Sequence, residues 1–388
     1  MPDPAAETAA GRRVLVAHPS AELYGSDRVM LESVEAFVGA GWRVLVALPG
    51  PGPLVAEVSR RGGRVVYCAS PVLRKSALRP AGFLRLIADA ARGLGSGLTL
   101  LRHARPDVVY VSTLTIPLWL FLARLTGCRS VCHVHEAEGT ASPRMRRLLG
   151  APLFAAHAIV ANSEFSRQVL GSAFESLGSR TAVVYNGVPG PPTVSAPRKR
   201  IVGTVRLVYV GRLSERKGVD VAISSVAELI RRGTAAELDI VGSVYPGYES
   251  YEAKLLELVD RLGLGARVRL RGFENPVWPR LAEADIALVP SRWDEPFGNT
   301  AVEAILAGRP LIVSDSSGLR EAVAGFESVI RVPPDDASSV ADAVESMLSQ
   351  WPVYSRRALD DAAAAACRFG PTPYRAAITS ILLRISGG

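Results

Sequence analysis

Short runs of β-branched residues alternate with amphipathic helical stretches along nearly the whole chain, and this alternation constrains the fold more than any other feature. Val14–Ala17, Arg43–Leu48, Val65–Cys68, Val108–Val111, Ser130–Val134, Ile159–Ala161 and Ala182–Tyr185 read as buried strands. Between the first two, Ser26–Val38 places Val29, Met30, Val34, Phe37 and Val38 on one helical face. The pattern breaks at Pro189–Gly203, where Pro189, Pro191, Pro192 and Pro197 precede a basic triplet and predict a linker. It then restarts with Leu207–Val210, Leu238–Val241, Val268–Leu270, Ile286–Val289, Leu311–Val313 and Val329–Val332. The helix Gly218–Arg231 is expected to bury Ala222, Ile223, Val226, Leu229 and Ile230, and two further helices cover roughly Ser355–Arg368 and Tyr374–Ile385. Alternating strands and helices predict parallel sheets covered on both faces. The expected fold class is therefore α/β, with two Rossmann-like, doubly wound parallel-sheet domains facing across a cleft. A length of 388 residues suits two domains. Their expected extents are 1–190 and 204–370, joined by a linker at 191–203, with a helix at about 371–388 packing back on the first domain.

Composition is that of an ordinary soluble globular protein, 48% hydrophobic and 21% charged, which excludes wholesale disorder. The net charge of +8 is unevenly spread. Residues 1–195 hold 21 basic and 13 acidic side chains, while residues 196–388 hold 24 of each, so the whole excess lies in the first half. Only four of the basic residues are lysine, a bias that codon usage explains as readily as binding. Four scattered cysteines form no secreted disulfide framework, and a reducing, cytoplasmic location is expected. The opening Met1–Arg13 is polar and lacks the apolar core of a signal peptide. The longest apolar stretch, Pro117–Leu125, is far short of a membrane span and contains Arg124.

The sharpest chemistry lies in the second half. After the strand Leu207–Val210 comes Gly211-Arg212-Leu213-Ser214-Glu215-Arg216-Lys217-Gly218, then a helix. Arg212 and Lys217 in such a loop can converge on an anion at a helix amino terminus. The spacing is not that of a Walker loop, which argues against nucleotide hydrolysis by that route. Downstream, Glu295 lies in a loop and Glu303 in the first turns of a helix starting near Gly298. Carboxylates accept well from the vicinal hydroxyls of a ribose or hexose. The N–H groups of Phe297, Gly298, Asn299 and Thr300 are available to an anion. Helix capping explains a single glutamate here, but not the whole segment.

Glu295-x7-Glu303 with Pro-Phe-Gly between, the Gly211-Arg212…Lys217-Gly218 loop and Asn186-Gly187-Val188 resemble the retaining glycosyltransferases of family 4, which have the GT-B fold. Tyr24-Gly25-Ser26-Asp27-Arg28 resembles the family's amino-terminal glycine loop, with Tyr24 where the first glycine is usual, and His133-Val134-His135-Glu136 resembles its histidine strand. The resemblance implies transfer of a sugar from a nucleoside diphosphate donor to an acceptor, with retained configuration. The first domain would bind the acceptor and the second the nucleotide-sugar. Arg212 and Lys217 would neutralise the departing diphosphate. Glu303 would hold the ribose, Glu295 the donor sugar, and the backbone of Phe297, Gly298, Asn299 and Thr300 the sugar and phosphate. Gly242 and Phe273 would line the base. Gly25 would allow close approach to phosphate or acceptor, and His135 would meet the donor sugar. His133 stands two residues away on the same strand face and remains the alternative.

No metal and no cofactor are expected beyond the nucleotide-sugar co-substrate, since cationic side chains replace an Asp-x-Asp signature. Cys128, Cys132, His133 and His135 lack the second CxxC-type pair of a zinc site. A glycan, lipid-linked or small-molecule acceptor follows from the family. The basic first half, in groups such as Arg74-Lys75…Arg79…Arg85 and Arg144…Arg146-Arg147, suits an anionic acceptor or the inner membrane surface. Two other readings stand beside this one. A sugar-nucleotide epimerase would need no acceptor, and a basic nucleic-acid-binding protein is disfavoured by dispersed arginines and the lack of a readable module.

Overall fold

The structure, a computed structural model, describes residues 11–73, 80–137, 139–245 and 247–387. The first ten residues, Arg74, Lys75, Arg79 and the Arg85 side chain, named above for their polarity or charge, lie outside the described residues. The chain divides into two compact units, Met1–Gly187 with Pro371–Gly388, and Val188–Gly370.

The first unit is built on seven parallel strands: β1 (Arg13–Ala17), β2 (Arg43–Leu48), β3 (Arg64–Tyr67), β4 (Val108–Val111), β5 (Arg129–Val134), β6 (Ala158–Ala161) and β7 (Thr181–Val183). Their order across the sheet is β3-β2-β1-β4-β5-β6-β7. The central runs are apolar at every position because helices cover both faces. Val14, Val16 and Val108 pack into one core with Val29, Met30, Val34 and Phe37 of the helix Gly25–Gly39. Leu15, Val109 and Cys132 point the other way, into a core with Trp119, Leu120 and Leu122. The helix Pro371–Ser386 closes the first of these cores with Tyr374, Ile378, Ile381 and Leu382. Arg375 on that helix reaches Glu32 at 2.5 Å and Glu35 at 2.9 Å.

The second unit has six parallel strands: β8 (Val205–Val210), β9 (Ala236–Val241), β10 (Val268–Gly272), β11 (Ile286–Val289), β12 (Leu311–Ser314) and β13 (Val329–Val332). Their order is β10-β9-β8-β11-β12-β13. The helix Val219–Arg231 buries Ala222, Ile223, Val226 and Leu229 as expected, but Ile230 is 40% exposed. Leu229 takes the inward place in the last turn, which rotates the next residue outward. The proline-rich segment is fastened to this unit. Arg309 donates to the Ser195 carbonyl, Arg198 pairs with Asp285, and Trp351 Nε1 donates to the Arg198 carbonyl at 2.7 Å.

In each sheet the strand order reverses once, between β1 and β4 in the first unit and between β8 and β11 in the second. The carboxyl ends of such strand pairs open a crevice, the expected ligand site of an open α/β sheet.

Candidate functional site

In the second unit, both motifs of the second half fall at the reversal point. Gly211–Gly218 follows β8 and Ser291–Gly298 follows β11. Two glycines set the shape of this edge. Gly218 begins the helix Val219–Arg231 at φ +65°, and a Cβ there would lie 1.9 Å from the Pro290 carbonyl oxygen. Gly242, after β9, has φ +146°, and its Cβ would lie 1.8 Å from the Gly211 carbonyl oxygen. The loops after β8, β9 and β11 therefore touch backbone to backbone, which side chains would prevent.

Glu295 is 3% exposed, and its carboxylate meets Lys217 Nζ at 2.8 Å, the Ser291 hydroxyl at 3.0 Å and Arg216 Nη2 at 3.5 Å. Burial works against its charge, but Lys217, Arg216 and Ser291 outweigh it and hold the carboxyl below the usual range. Burial lowers the Lys217 ammonium, opposed by Glu295 and assisted by Arg216 and Arg212. The Glu295 backbone is fixed as well: its N–H donates to Ser317 Oγ at 3.0 Å, and its carbonyl accepts from the Gly318 N–H at 3.1 Å. Arg212 is turned differently from Lys217, with its guanidinium 3.5 Å from the ring centroid of Tyr245, beyond β9. The structure thus pairs Lys217 with Glu295 and stacks Arg212 on an aromatic face.

Phe297 is buried against Phe369, with ring centroids 5.3 Å apart. Gly298 at φ +114° starts the helix Asn299–Leu306, so Asn299 and Thr300 form its first turn. Glu303, on the same helix, is 7% exposed. Phe273 is half exposed just beyond β10, on the edge that carries Gly242. Reading the sequence missed Arg216, Ser291, Ser317 and Tyr245. Arg216 stood inside the quoted motif, whereas Tyr245 and Ser317 carry no local signal.

The first unit gathers a second polar group at its own reversal point. His135 lies just past β5, and its Nε2 is out of contact with solvent and has no hydrogen-bond partner among the described residues. Glu136 holds the turn by accepting from the Thr113 hydroxyl and from the His135 N–H at 3.0 Å. Burial raises the Glu136 carboxyl despite these bonds. His133 is fully buried; its Nδ1 is 2.5 Å from the Tyr110 hydroxyl, and its ring stacks on Tyr374 at 6.2 Å. Ser33 links the Tyr374 hydroxyl at 2.5 Å to that of Tyr110 at 3.2 Å. Of the two histidines, His135 is therefore the one at the sheet's carboxyl edge. The His133 and His135 rings lie 4.0 Å apart, but no group of three or more His, Cys, Asp or Glu among the described residues is placed to hold a metal ion. Gly25 is the exposed first residue of the helix Gly25–Gly39.

Burial holds the His135 imidazole down to about 3, reinforced by His18 and opposed by Asp27. An unfolded histidine takes its proton near pH 6.5, so below that value the unfolded chain binds a proton that the native state refuses. Stability should fall as pH drops from about 6.5 towards 3, by up to about 1.4 kcal/mol per unit from this group, with no effect above that window. In histidine-selective NMR, the His135 ring resonance should stay constant between pH 8 and pH 5.

A family model described as Glycosyltransferase Family 4 matches residues 24–189, and one described as Glycosyl transferases group 1 matches residues 193–365. A glycogen synthase of Mycobacterium tuberculosis is 33% identical over 178 residues, 45% of this chain and 42% of that protein. A D-inositol 3-phosphate glycosyltransferase of Corynebacterium diphtheriae is 28% identical over 241 residues, 58% of this chain and 56% of that protein. The chain thus spans about half the length of the curated relatives it matches. Among solved structures, HepE of Anabaena in complex with UDP-glucose matches with a TM-score of 0.81 at 20% identity, covering 95% of this chain and 99% of that one. WaaG, a glycosyltransferase involved in lipopolysaccharide biosynthesis, matches with a TM-score of 0.68 at 18% identity, covering 97% and 100%. The two parallel sheets with flanking helices are the GT-B fold, and with family models matching both units the chain belongs to the family 4 glycosyltransferases.

Proposed function

We propose that this protein transfers a sugar from a nucleoside diphosphate-sugar to an acceptor hydroxyl, with retention and without a metal. The observation that carries this reading is the grouping of Lys217, Arg212, Glu295 and Glu303 around the β8/β11 reversal point. The bond from the sugar's anomeric carbon to the diphosphate oxygen breaks, and a bond to the acceptor oxygen forms on the same face. The acceptor's proton leaves with the diphosphate. Charge grows on the leaving group as this happens, and Lys217 and Arg212 are the groups we assign to it. Glu303 is assigned to the ribose, Glu295 to the donor sugar, and Phe297–Thr300 to the sugar and phosphate through their N–H groups. Gly242 and Phe273 are assigned to the base, Gly25 to the acceptor side, and His135 to the reacting sugar as a neutral imidazole. The Lys217–Glu295 contact supports these assignments by bringing the two side chains together from the loops after β8 and β11.

The names of the relatives make D-inositol 3-phosphate and a glucan reasonable test acceptors and UDP-glucose a test donor; maltoheptaose serves as the glucan, and GDP-mannose and ADP-glucose widen the donor panel. The wild type should release nucleoside diphosphate in step with product when donor and acceptor are both present, and only slowly when water is the sole acceptor. Conversion of the donor to an isomer without acceptor would favour the epimerase reading instead. Failure of every donor to bind, in thermal shift or calorimetry, would sink the transferase reading. A screen of UDP, GDP, ADP and dTDP alone should identify the base, because a ligand that binds the folded state raises its stability by mass action.

For the acceptor side we propose a lipid-linked or polysaccharide precursor at an anionic membrane surface. No helix among the described residues is long and apolar enough to cross a membrane. The helices Leu118–Leu125 and Pro143–Gly150 both pack against the short turn Ala151–Ala155. They expose Phe121, Leu125, Leu148 and Phe154. Arg124, Arg129, Arg144, Arg146 and Arg147 lie in the same segments of sequence, with no acidic residue in 118–135 or 143–163. Apolar side chains flanked by arginines suit a headgroup layer. Phosphatidylglycerol vesicles should co-sediment with the protein at low salt and release it at physiological salt. Phe121→Asp with Leu125→Asp should lower the bound fraction several-fold, and no binding at low salt would reject the proposal.

A further inference from the structure

The first unit carries a buried histidine–carboxylate pair to which none of the roles above is assigned. Asp27 is 2% exposed and His18 fully buried, with His18 Nε2 2.6 Å from Asp27 Oδ1. The other ring nitrogen of His18 lies 2.5 Å from Ser112 Oγ. Ser112 in turn donates to the Ala17 carbonyl at 3.1 Å. Asp27 also accepts from Ser20 Oγ at 2.6 Å and, through Oδ2, from the Tyr24 N–H at 2.7 Å. One carboxylate therefore ties the end of β1, the residue after β4 and both sides of the turn that delivers Gly25.

Helix capping alone does not account for this arrangement. A capping carboxylate needs one backbone N–H and works at the surface. Burying it against a histidine adds a desolvation cost that a well-packed apolar pair would not carry, so such pairs are poor devices for stability alone. Burial works against the Asp27 charge, yet His18, Ser20 and Tyr24 hold the carboxyl below its usual range. The pair also stands close enough to His135 for both members to act on its charge. It sits at the β1/β4 reversal point, where a ligand crevice is expected.

We propose that Asp27 and His18 are positioning residues that hold the Tyr24–Gly25 turn, and the wall beside His135, in the geometry that transfer to the acceptor requires. The proposal rests on the transferase reading above. The pair belongs to the first unit, whereas the donor contacts assigned above, His135 aside, belong to the second, so its loss should separate transfer from donor binding. Asp27→Asn keeps the volume but loses the charge, and Asp27→Glu restores it. With UDP-glucose as donor, and maltoheptaose, D-inositol 3-phosphate or water as acceptor, Asp27→Asn should lower kcat at least ten-fold. The donor Kd from calorimetry should stay within two-fold, and Asp27→Glu should recover part of the loss. Ser112→Ala, which removes the partner of His18 Nδ1 together with its bond to the Ala17 carbonyl, should lower kcat in the same direction and serves if Asp27→Asn does not fold. Unchanged kcat in a folded Asp27→Asn or Ser112→Ala protein overturns the pair's role. A donor Kd weakened as much as kcat is lowered overturns it too. A wild type that binds no donor overturns the reading of function on which the proposal rests.

Discussion

Lys217→Ala is expected to lower kcat by ~10²–10³-fold, about 2.7–4 kcal/mol, the effect typical of removing a preorganised group that stabilises developing negative charge. The apparent KM for the donor should change much less, because a diphosphate already bound carries less charge than one that is leaving. Removing the ammonium also strands Glu295, which is 3% exposed and then keeps, among the described residues, only Arg216, at 3.5 Å, as an ion-pair partner. Lys217→Arg should therefore recover little, since a planar fork does not replace a point charge at 2.8 Å from a carboxylate oxygen. Glu215→Ala, on the exposed side of the same turn, is the control and should leave kcat unchanged. Nucleoside diphosphate release under saturating donor measures all three. A Lys217→Ala enzyme within three-fold of the wild type would remove Lys217 from the leaving-group role.

Asp285→Ala is expected to cost about 3–5 kcal/mol of stability, the range for breaking a buried charged pair at one end. Asp285 is 1% exposed, accepts from Arg198 Nε at 2.7 Å and from the Arg206 N–H at 2.8 Å, and precedes β11. It also offsets the charge of Arg309, which is 1% exposed and is held down to about 10 by burial, with Asp285 opposing. Without it two guanidinium groups lose their counter-charge, and the proline-rich segment loses one of its fastenings. The melting temperature should fall by on the order of 10 °C, given about 2–4 °C per kcal/mol in a chain or unit of this size. Asp285→Asn should fall in between, since an amide can still accept the Arg206 N–H. Differential scanning calorimetry decides it, and a shift under 1 °C would show that the segment is held by Arg309 and Trp351 alone.

Strand positions were legible because parallel strands covered on both faces are apolar at every residue, and such runs stand out between amphipathic helices. Glu295 and the Arg/Lys loop were legible because each lies close behind a strand end, and Glu303 because it falls in the first turns of the helix that follows. What they do to one another was not. The Lys217–Glu295 contact joins loops 78 positions apart, and nothing in either loop says whether the two side chains face a common ligand or each other. His133 and His135 share a strand face by alternation, and only the end of β5 at Val134 separates a core ring from an edge ring. The His18–Asp27–Ser112 group was invisible for a similar reason. Ser112 is 94 residues from His18, and the turn between His18 and Asp27 follows no period. Pro189–Gly203 reads as a linker from its prolines, and the contacts of Arg198, Arg309 and Trp351 along it carry no local signal.

The return of Pro371–Ser386 to the first unit has a consequence for biosynthesis. Tyr374, Ile378, Ile381 and Leu382 belong to a core whose other members lie within the first 184 residues. A ribosome makes those early residues first, yet their core lacks these four members until Pro371–Ser386 has left the exit tunnel. The second unit, continuous from Val188 to Gly370, has all its parts earlier. The usual order, in which the amino-terminal domain folds first during synthesis, is therefore inverted for completion of the first unit. Until then the apolar residues that Tyr374, Ile378, Ile381 and Leu382 cover lack those partners.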